Sequence, residues 1–213
     1  MALAGGYFAL FETLFSGDVN HMIYLASQSP RRAELLKQIG VPFQKLVCDI
    51  DESPLENELP ATYVQRMADQ KARAGWSKVI KQSLPEQPLL ASDTSVICDQ
   101  VILGKPENEQ AARDMLGMLS GRAHQVMTAI ALTDGVKTQS QLVVTEVRFN
   151  TLSPQQISDY VATGEPVDKA GAYGIQGRGA VLVASISGSY SSVVGLPLSE
   201  TAQMLAQFGV AFW

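Results

Sequence analysis

The sequence predicts an α/β protein built on one mixed, twisted β-sheet with flanking helices. Three observations carry that prediction. Apolar runs of strand length alternate with segments of helical period along most of the chain. Two long period-two segments, around Ala123–Leu132 and Gln141–Phe149, are separated by the turn signal Asp134-Gly135, which adds an antiparallel ribbon. The 213 residues, 46% apolar and 17% charged, suffice for one good core and argue against disorder.

The elements follow in order. Met22–Ala26 reads as a short buried strand, MIYLA. Ser29 is an N-cap and Pro30 fits the first turn of a helix whose buried stripe is Leu35, Leu36 and Ile39, stopped by Gly40. VPFQKLVC is a second strand, closed by Asp49, Asp51 and Glu52. Pro60 opens a helix carrying Tyr63, Met67 and Ala74 on one face, with Lys71 and Arg73 near its C-terminal end, where the helix dipole favours cations. The strand LLASDTSVI, the loop CDQ and the segment VILGKP come next. Asn108 caps a helix through Met115, Leu116 and Leu119 that ends near Gly121. After the ribbon, Ser153 begins S-P-Q-Q, an N-cap, first-turn Pro and capping-box Gln together, for a helix to about Ala162. A glycine-rich stretch spans Asp168–Gly179. VLVASI is a strand, SGSYSSVVG a tight turn leading into a second one, and LPLSETAQMLAQFG a final helix with Met204, Leu205 and Phe208 inward.

Residues 1–21 are set apart as an extension of uncertain structure, and 22–213 as a single domain. The first stretch is apolar, but it lacks a basic leader and is interrupted by Glu12 and Asp18. A short surface helix or an unstructured extension is expected there rather than a secretory signal. No segment reads as transmembrane. The net charge of −5 argues against binding a nucleic-acid backbone, although a few convergent cations can still hold a small anion. Cys48 and Cys98 have neither zinc-site spacing nor a disulfide framework around them, and read as reduced thiols of a cytoplasmic protein.

Three places can carry phosphate chemistry. In Ser27-Gln28-Ser29-Pro30-Arg31-Arg32, backbone N–H groups, two hydroxyls and two guanidinium groups can gather on one phosphate. The alternative is a capped helix with two solvent-facing arginines. Asp93, in Ser92-Asp93-Thr94, is either a turn residue at a strand end or a buried carboxylate held by a cation, since an unpaired one is costly. Lys105 stands in a fixed Gly-Lys-Pro turn, while Glu52 and Lys71 lie in segments able to flank the same cleft. Gly171, Gly174, Gly177 and Gly179 either let a ligand approach the backbone or form a plain loop.

Taken in order, LASQSPRRAELL, Asp51-Glu52, Lys71-Ala72, SDTSVI, GKP, LSGRAHQVMTA, GEPVDKAGAYGIQGRG and GSYSSVVGLP closely resemble the Maf family of nucleotide pyrophosphatases, from about Ile23 to Gly209. The resemblance implies a two-lobed α/β fold with a central cleft, similar to the inosine-triphosphate pyrophosphatases. It also implies hydrolysis of a nucleoside triphosphate between the α- and β-phosphates. Carried onto this chain, Ser27, Arg31 and Arg32 would bind phosphate, and Glu52, Lys71, Asp93 and Lys105 would be catalytic, Asp93 as proton acceptor. Arg31, Thr94 and Gln176 match specificity positions. GAYGIQG at Gly171–Gly177 is the pattern of the branch acting on dTTP and UTP, with modified pyrimidine nucleotides as further substrates. Ala91-Ser92 before Asp93 departs from the family's usual Gly-Ala or Ala-Ala, with little effect expected from so small a side chain. Glu52 and Asp93 would hold Mg²⁺ or Mn²⁺, hard ions suited to carboxylate and phosphate oxygens. A homodimer is implied too. The competing readings are an enzyme acting mainly on modified or purine nucleotides, and a non-catalytic regulator of cell division.

Overall fold

The computed structural model of the chain describes residues 22–211; the expectations for residues 1–21 lie outside them. Strand β1 (Ile23–Ala26) is buried throughout. Helix α1 (Pro30–Gln38) starts at Ser29, whose hydroxyl accepts from the Arg32 N–H, and buries Ala33, Leu35 and Leu36. Strand β2 is only Phe43–Lys45. Long helix α2 (Pro60–Lys81) leads to β3 (Leu89–Cys98), and a tight turn returns the chain antiparallel as β4 (Val101–Leu103). Helix α3 (Glu109–Leu119) is capped by Asn108, whose side chain accepts from the Ala111 N–H. The hairpin β5 (Ala123–Thr133) and β6 (Thr138–Phe149) turns at Asp134-Gly135, as its sequence predicts. Helix α4 (Pro154–Val161) has the full Ser153–Gln156 capping box. Short 3₁₀ turns cover the glycine-rich stretch, before β7 (Val183–Ser187), α5 (Tyr190–Val194) and α6 (Leu198–Gln207).

These strands form one seven-stranded sheet in the order β2-β1-β3-β5-β6-β7, with β4 also on β3. β1 is parallel to β2 and β3; the other pairings are antiparallel. Along one edge of β3, β1 pairs as far as Ala91 and β4 begins pairing at Val96. Between them, residues 92–95 face no strand on that side, while β5 pairs them on the other. The sheet therefore has a notch at Ser92–Ser95, beside the carboxyl end of β1, where open α/β sheets bind ligands.

Side-chain alternation along β3 divides the core. Leu89, Ala91 and Ile97 join Tyr24, Val64, Ala68, Ala72, Val79 and Ala129 in a cluster under α2. On the opposite face Leu90 belongs to a cluster with Leu25, Leu36, Ile130 and Leu205, whereas Val96 belongs to another with Leu116, Val126, Phe149 and Tyr173. Buried polar Ser92, Thr128 and Ser192 stand between those two apolar groups, with Thr94 beside them. That division gives the expected two lobes, carried on one continuous sheet.

Three local expectations are corrected. Helix α2 runs on to Lys81, so Lys71 stands in its middle and the terminal cations are Lys78 and Lys81. Within it, Gly75 lets the helix settle on the sheet: a Cβ there would lie 2.6 Å from Leu89 Cδ1 and 3.3 Å from Ala26 Cβ. The expected second strand after VLVASI is helix α5, nucleated by Ser189, which accepts from the Ser192 N–H. Of VPFQKLVC only three residues pair with the sheet.

Candidate active site

A cleft of about 1120 Å³ opens over the notch in β3. Because successive residues of β3 point to opposite faces, Asp93 projects toward α2, and Ser92 and Thr94 project the other way. Asp93 is in mid-strand and 8% exposed, so it is the buried carboxylate held by a cation and not a turn residue. Its partner is Lys71, whose Nζ lies 2.7 Å from Asp93 Oδ1 and 2.6 Å from Glu52 Oε1. One ammonium thus gathers two carboxylates. Tyr63, two turns earlier on the same face of α2, donates from its hydroxyl to the Glu52 carbonyl oxygen at 2.8 Å and so fixes the loop that carries Glu52.

Opposite-face residues build an arginine socket. The Arg32 guanidinium donates to Ser27 Oγ at 3.2 Å, to Thr94 Oγ1 at 3.2 Å and to the Gly195 carbonyl at 2.9 Å. Ser92 Oγ donates to the same carbonyl at 3.0 Å. Gly195 has φ 128, a backbone state L side chains rarely adopt, and it brings that carbonyl into the cleft. Arg32 is therefore built into the site and is not a solvent-facing arginine. Arg31 reaches instead across the cleft to Asp168 at 3.2 Å, and Asp168 also takes Lys169 at 2.6 Å. Lys105 lines the cleft and has no hydrogen bond or ion pair among the described residues. Gln176 is exposed on the rim formed by the glycine loop.

Electrostatics follow from this packing. Burial alone would raise the Glu52 pKa; the Lys71 hydrogen bond and the charges of Lys71, Lys105 and Arg32 outweigh it and hold the carboxyl below its usual range. Burial lowers the pKa of Arg32 and the Asp93 charge opposes the shift; the group stays cationic at neutral pH. Burial, with Asp93 and Glu52 nearby, pushes the Tyr63 phenol up to about 12, so it is a neutral donor. Arg32, Lys71 and Lys105 thus share with Glu52 and Asp93 a cleft that a polyphosphate can enter.

Nor does the donor set conflict with a divalent ion. Asp93 and Glu52 each commit one oxygen to Lys71 and keep the other free of hydrogen bonds among the described residues. No group of three His, Cys, Asp or Glu suited to a metal occurs among those residues. Two carboxylates are what a Mg²⁺-type ion needs when phosphate and water supply its remaining ligands.

Residues 22–208 match the family described as Maf-like protein. The chain belongs to the Maf family. A dTTP/UTP pyrophosphatase of Chromobacterium violaceum is 51% identical over 187 residues, spanning 88% of this chain and 94% of the relative. One of Pseudoalteromonas atlantica is 54% identical over 191 residues, 89% of this chain and 98% of its own. A third, of Pasteurella multocida, is 51% identical over 88% of this chain and 96% of its own. Among solved structures, the Staphylococcus aureus Ham1 protein overlaps 60% of this chain and 71% of its own at 13% identity and TM-score 0.39, a partial overlap only.

In this Maf chain, every residue proposed from sequence for catalysis, phosphate binding or specificity lines the one cleft. Others there escaped the sequence. Tyr63 reads as packing, although a stripe Tyr63, Met67, Lys71 that ends in a cation was a signal. Asp168, Lys169 and Glu165 lie inside the GEPVDKAG motif, but their partners Arg31 and Tyr160 are set by the fold and not by local spacing. The Gly195 carbonyl has no side chain to signal it.

Proposed function

We propose that this Maf chain hydrolyses dTTP and UTP at the bond between the α- and β-phosphates, releasing the nucleoside monophosphate and pyrophosphate, and acts on modified pyrimidine nucleotides as well. The observation that carries the reading is Lys71 between Asp93 and Glu52, at the floor of a cleft that also holds Arg32 and Lys105. Relatives near 50% identity that span almost the whole chain are named for these two substrates.

Arg32 and Lys105 bind phosphate oxygens, and Arg31 joins them once Asp168 yields it. Lys71 fixes both carboxylates so that Asp93 is aligned beside a water facing the α-phosphorus. The water oxygen attacks that phosphorus, its proton passes to Asp93, and the bond to the bridging oxygen breaks with pyrophosphate leaving. An ordinary aspartate is a weak base, so alignment matters more here than basicity. Glu52 and Asp93 would hold Mg²⁺ or Mn²⁺, which when bound supplies charge neutralisation for the phosphates and the leaving group. Thr94, bonded to Arg32, helps fix the sugar or the adjoining phosphates. Gln176 offers one amide donor and one acceptor to the N3–H and carbonyl edge shared by uracil and thymine, an edge that cytosine reverses.

The reading includes a homodimer, for which light scattering is the test. It also includes a cytoplasmic protein, in keeping with two free thiols; cell fractionation checks that. No helix among the described residues is long and apolar enough to cross a membrane. A panel of dTTP, UTP, CTP, 7-methyl-GTP, ITP and dITP, with products separated by chromatography and each reaction repeated with EDTA, tests substrate, bond and metal together. Pyrophosphate from dTTP and UTP, lost with EDTA and restored by Mg²⁺ or Mn²⁺, is the expected result. Orthophosphate as the first product, or a purine preference, would overturn it.

A further inference from the structure

The glycine-rich loop is organised by a carboxylate that no step above uses. Glu165 Oε1 accepts from the Tyr160 hydroxyl at 2.9 Å and from the Gly179 N–H at 3.0 Å; Oε2 accepts from the Arg178 N–H at 2.8 Å. Tyr160 in turn accepts from the Gly174 N–H at 3.1 Å. Both ends of the segment 174–179, with Gln176 near its middle, are thereby tied to one carboxylate–phenol pair. Lys169 braces the pair, its Nζ donating to the Glu165 carbonyl at 2.6 Å.

The glycines answer to this clamp. A Cβ on Gly179 would lie 2.6 Å from the Tyr160 hydroxyl, one on Gly174 2.7 Å from Lys169 Cε, and one on Gly177 would overlap Glu165 Oε2. Their spacing fits the loop to its own support. The loop is therefore not a plain one: it is braced from behind while Gly174, Gln176 and Gly177 line the cleft.

We propose that Glu165 is a positioning residue for base recognition, holding Gln176 against the pyrimidine by clamping the loop backbone at 174–179. The inference rests on Gln176 as the group that reads the base. Both Glu165 oxygens are engaged by the loop and Tyr160, so the side chain acts through the loop. A carboxylate suits the task because it is acceptor-only and receives three donors. An amide in its place turns one oxygen into a donor aimed at another N–H, from Arg178 or from Gly179. The loop loses at least one anchor, and the residues around Asp93 are untouched.

Steady-state kinetics of the full chain with dTTP and UTP test this in a double-mutant cycle of Glu165→Gln and Gln176→Ala. In the Gln176 background, Glu165→Gln should raise KM about tenfold, the scale of one lost hydrogen bond, with kcat within about threefold of the starting protein. In the Gln176→Ala background it should change KM no further. An unchanged KM in the Gln176 background, a loss confined to kcat, or an equal KM rise in both backgrounds would overturn the clamp. Gln176→Ala with unchanged KM would instead remove base reading by Gln176, and the clamp's role with it. If Glu165→Gln shows no cooperative unfolding transition, Tyr160→Phe replaces it under the same criteria: the ring stays in the core, and the hydroxyl joining Glu165 to Gly174 is lost.

Discussion

Asp93 shows how much one position in a strand decides. Shifted by one residue it would face the Arg32 side of the sheet and lose Lys71, since alternation along β3 reverses at every step. Asp93→Asn should therefore lower kcat by at least ~100-fold, the lower range for lost acid–base and aligning assistance, with the fold retained by circular dichroism. Pyrophosphate release near the wild-type rate from the folded variant would remove Asp93 from the mechanism. His124 makes a second point, about stability. It is 3% exposed, bonds Tyr173 Oη through Nε2 at 2.8 Å, and burial lowers its pKa from 6.5 to about 4. The unfolded chain then binds the extra proton first as pH falls, so stability drops between pH 6.5 and pH 4 and this contribution is exhausted below that. A shift of that size corresponds to roughly 3 kcal/mol. Urea midpoints across this range should fall less steeply in His124→Gln; parallel profiles would show that His124 is not the group responsible.

At the scale of elements, what was legible in the sequence was whatever a local rule governs. The capping box at Ser153, the N-caps at Ser29 and Asn108 and the Asp134-Gly135 hairpin stand where short-range chemistry puts them. Asp93, Lys71, Glu52, Arg32 and Lys105 were legible as a set, though their convergence was not. It depends on a notch in β3 created by strands distant in sequence. The extent of α2 and the identity of α5 were not legible, because both depend on what packs against them. Gly75 also supplies a test. Val at this site drives branched methyls into Leu89 and Ala26, and overpacking of this kind costs about 1–3 kcal/mol. It also lifts α2 one turn from Lys71. Gly75→Val should lower the urea midpoint and, because small misplacements of catalytic groups are costly, reduce kcat by up to about 100-fold. A stability loss with unchanged kcat would mean that α2 shifts without moving Lys71.

The whole molecule couples its two lobes through one sheet. β3 and β5 run through both, contributing Leu90 and Ile130 to one apolar cluster and Val96 and Val126 to the other. The cleft lies between those clusters, with Arg32 and Ser27 on one flank and Lys105 and Asp168 on the other. Neither flank can unfold without stripping paired residues from β3, so thermal unfolding should show a single transition for the described domain. A ligand that spans the cleft should raise that one transition. An uncleavable dUTP or dTTP analogue with an α,β-imido bridge, present with Mg²⁺ at 100 times its Kd, adds about 2.7 kcal/mol if it binds only the folded chain. For a domain of this size that is a rise of roughly 5–11 °C in Tm. The corresponding monophosphate should add less at equal concentration, because it lacks the β- and γ-phosphates that the proposed phosphate contacts of Arg32 and Lys105 would engage. Calorimetry distinguishes the cases directly. Two resolved transitions, with the analogue moving only one of them, would mean that the lobes unfold separately and that the continuous sheet does not couple them.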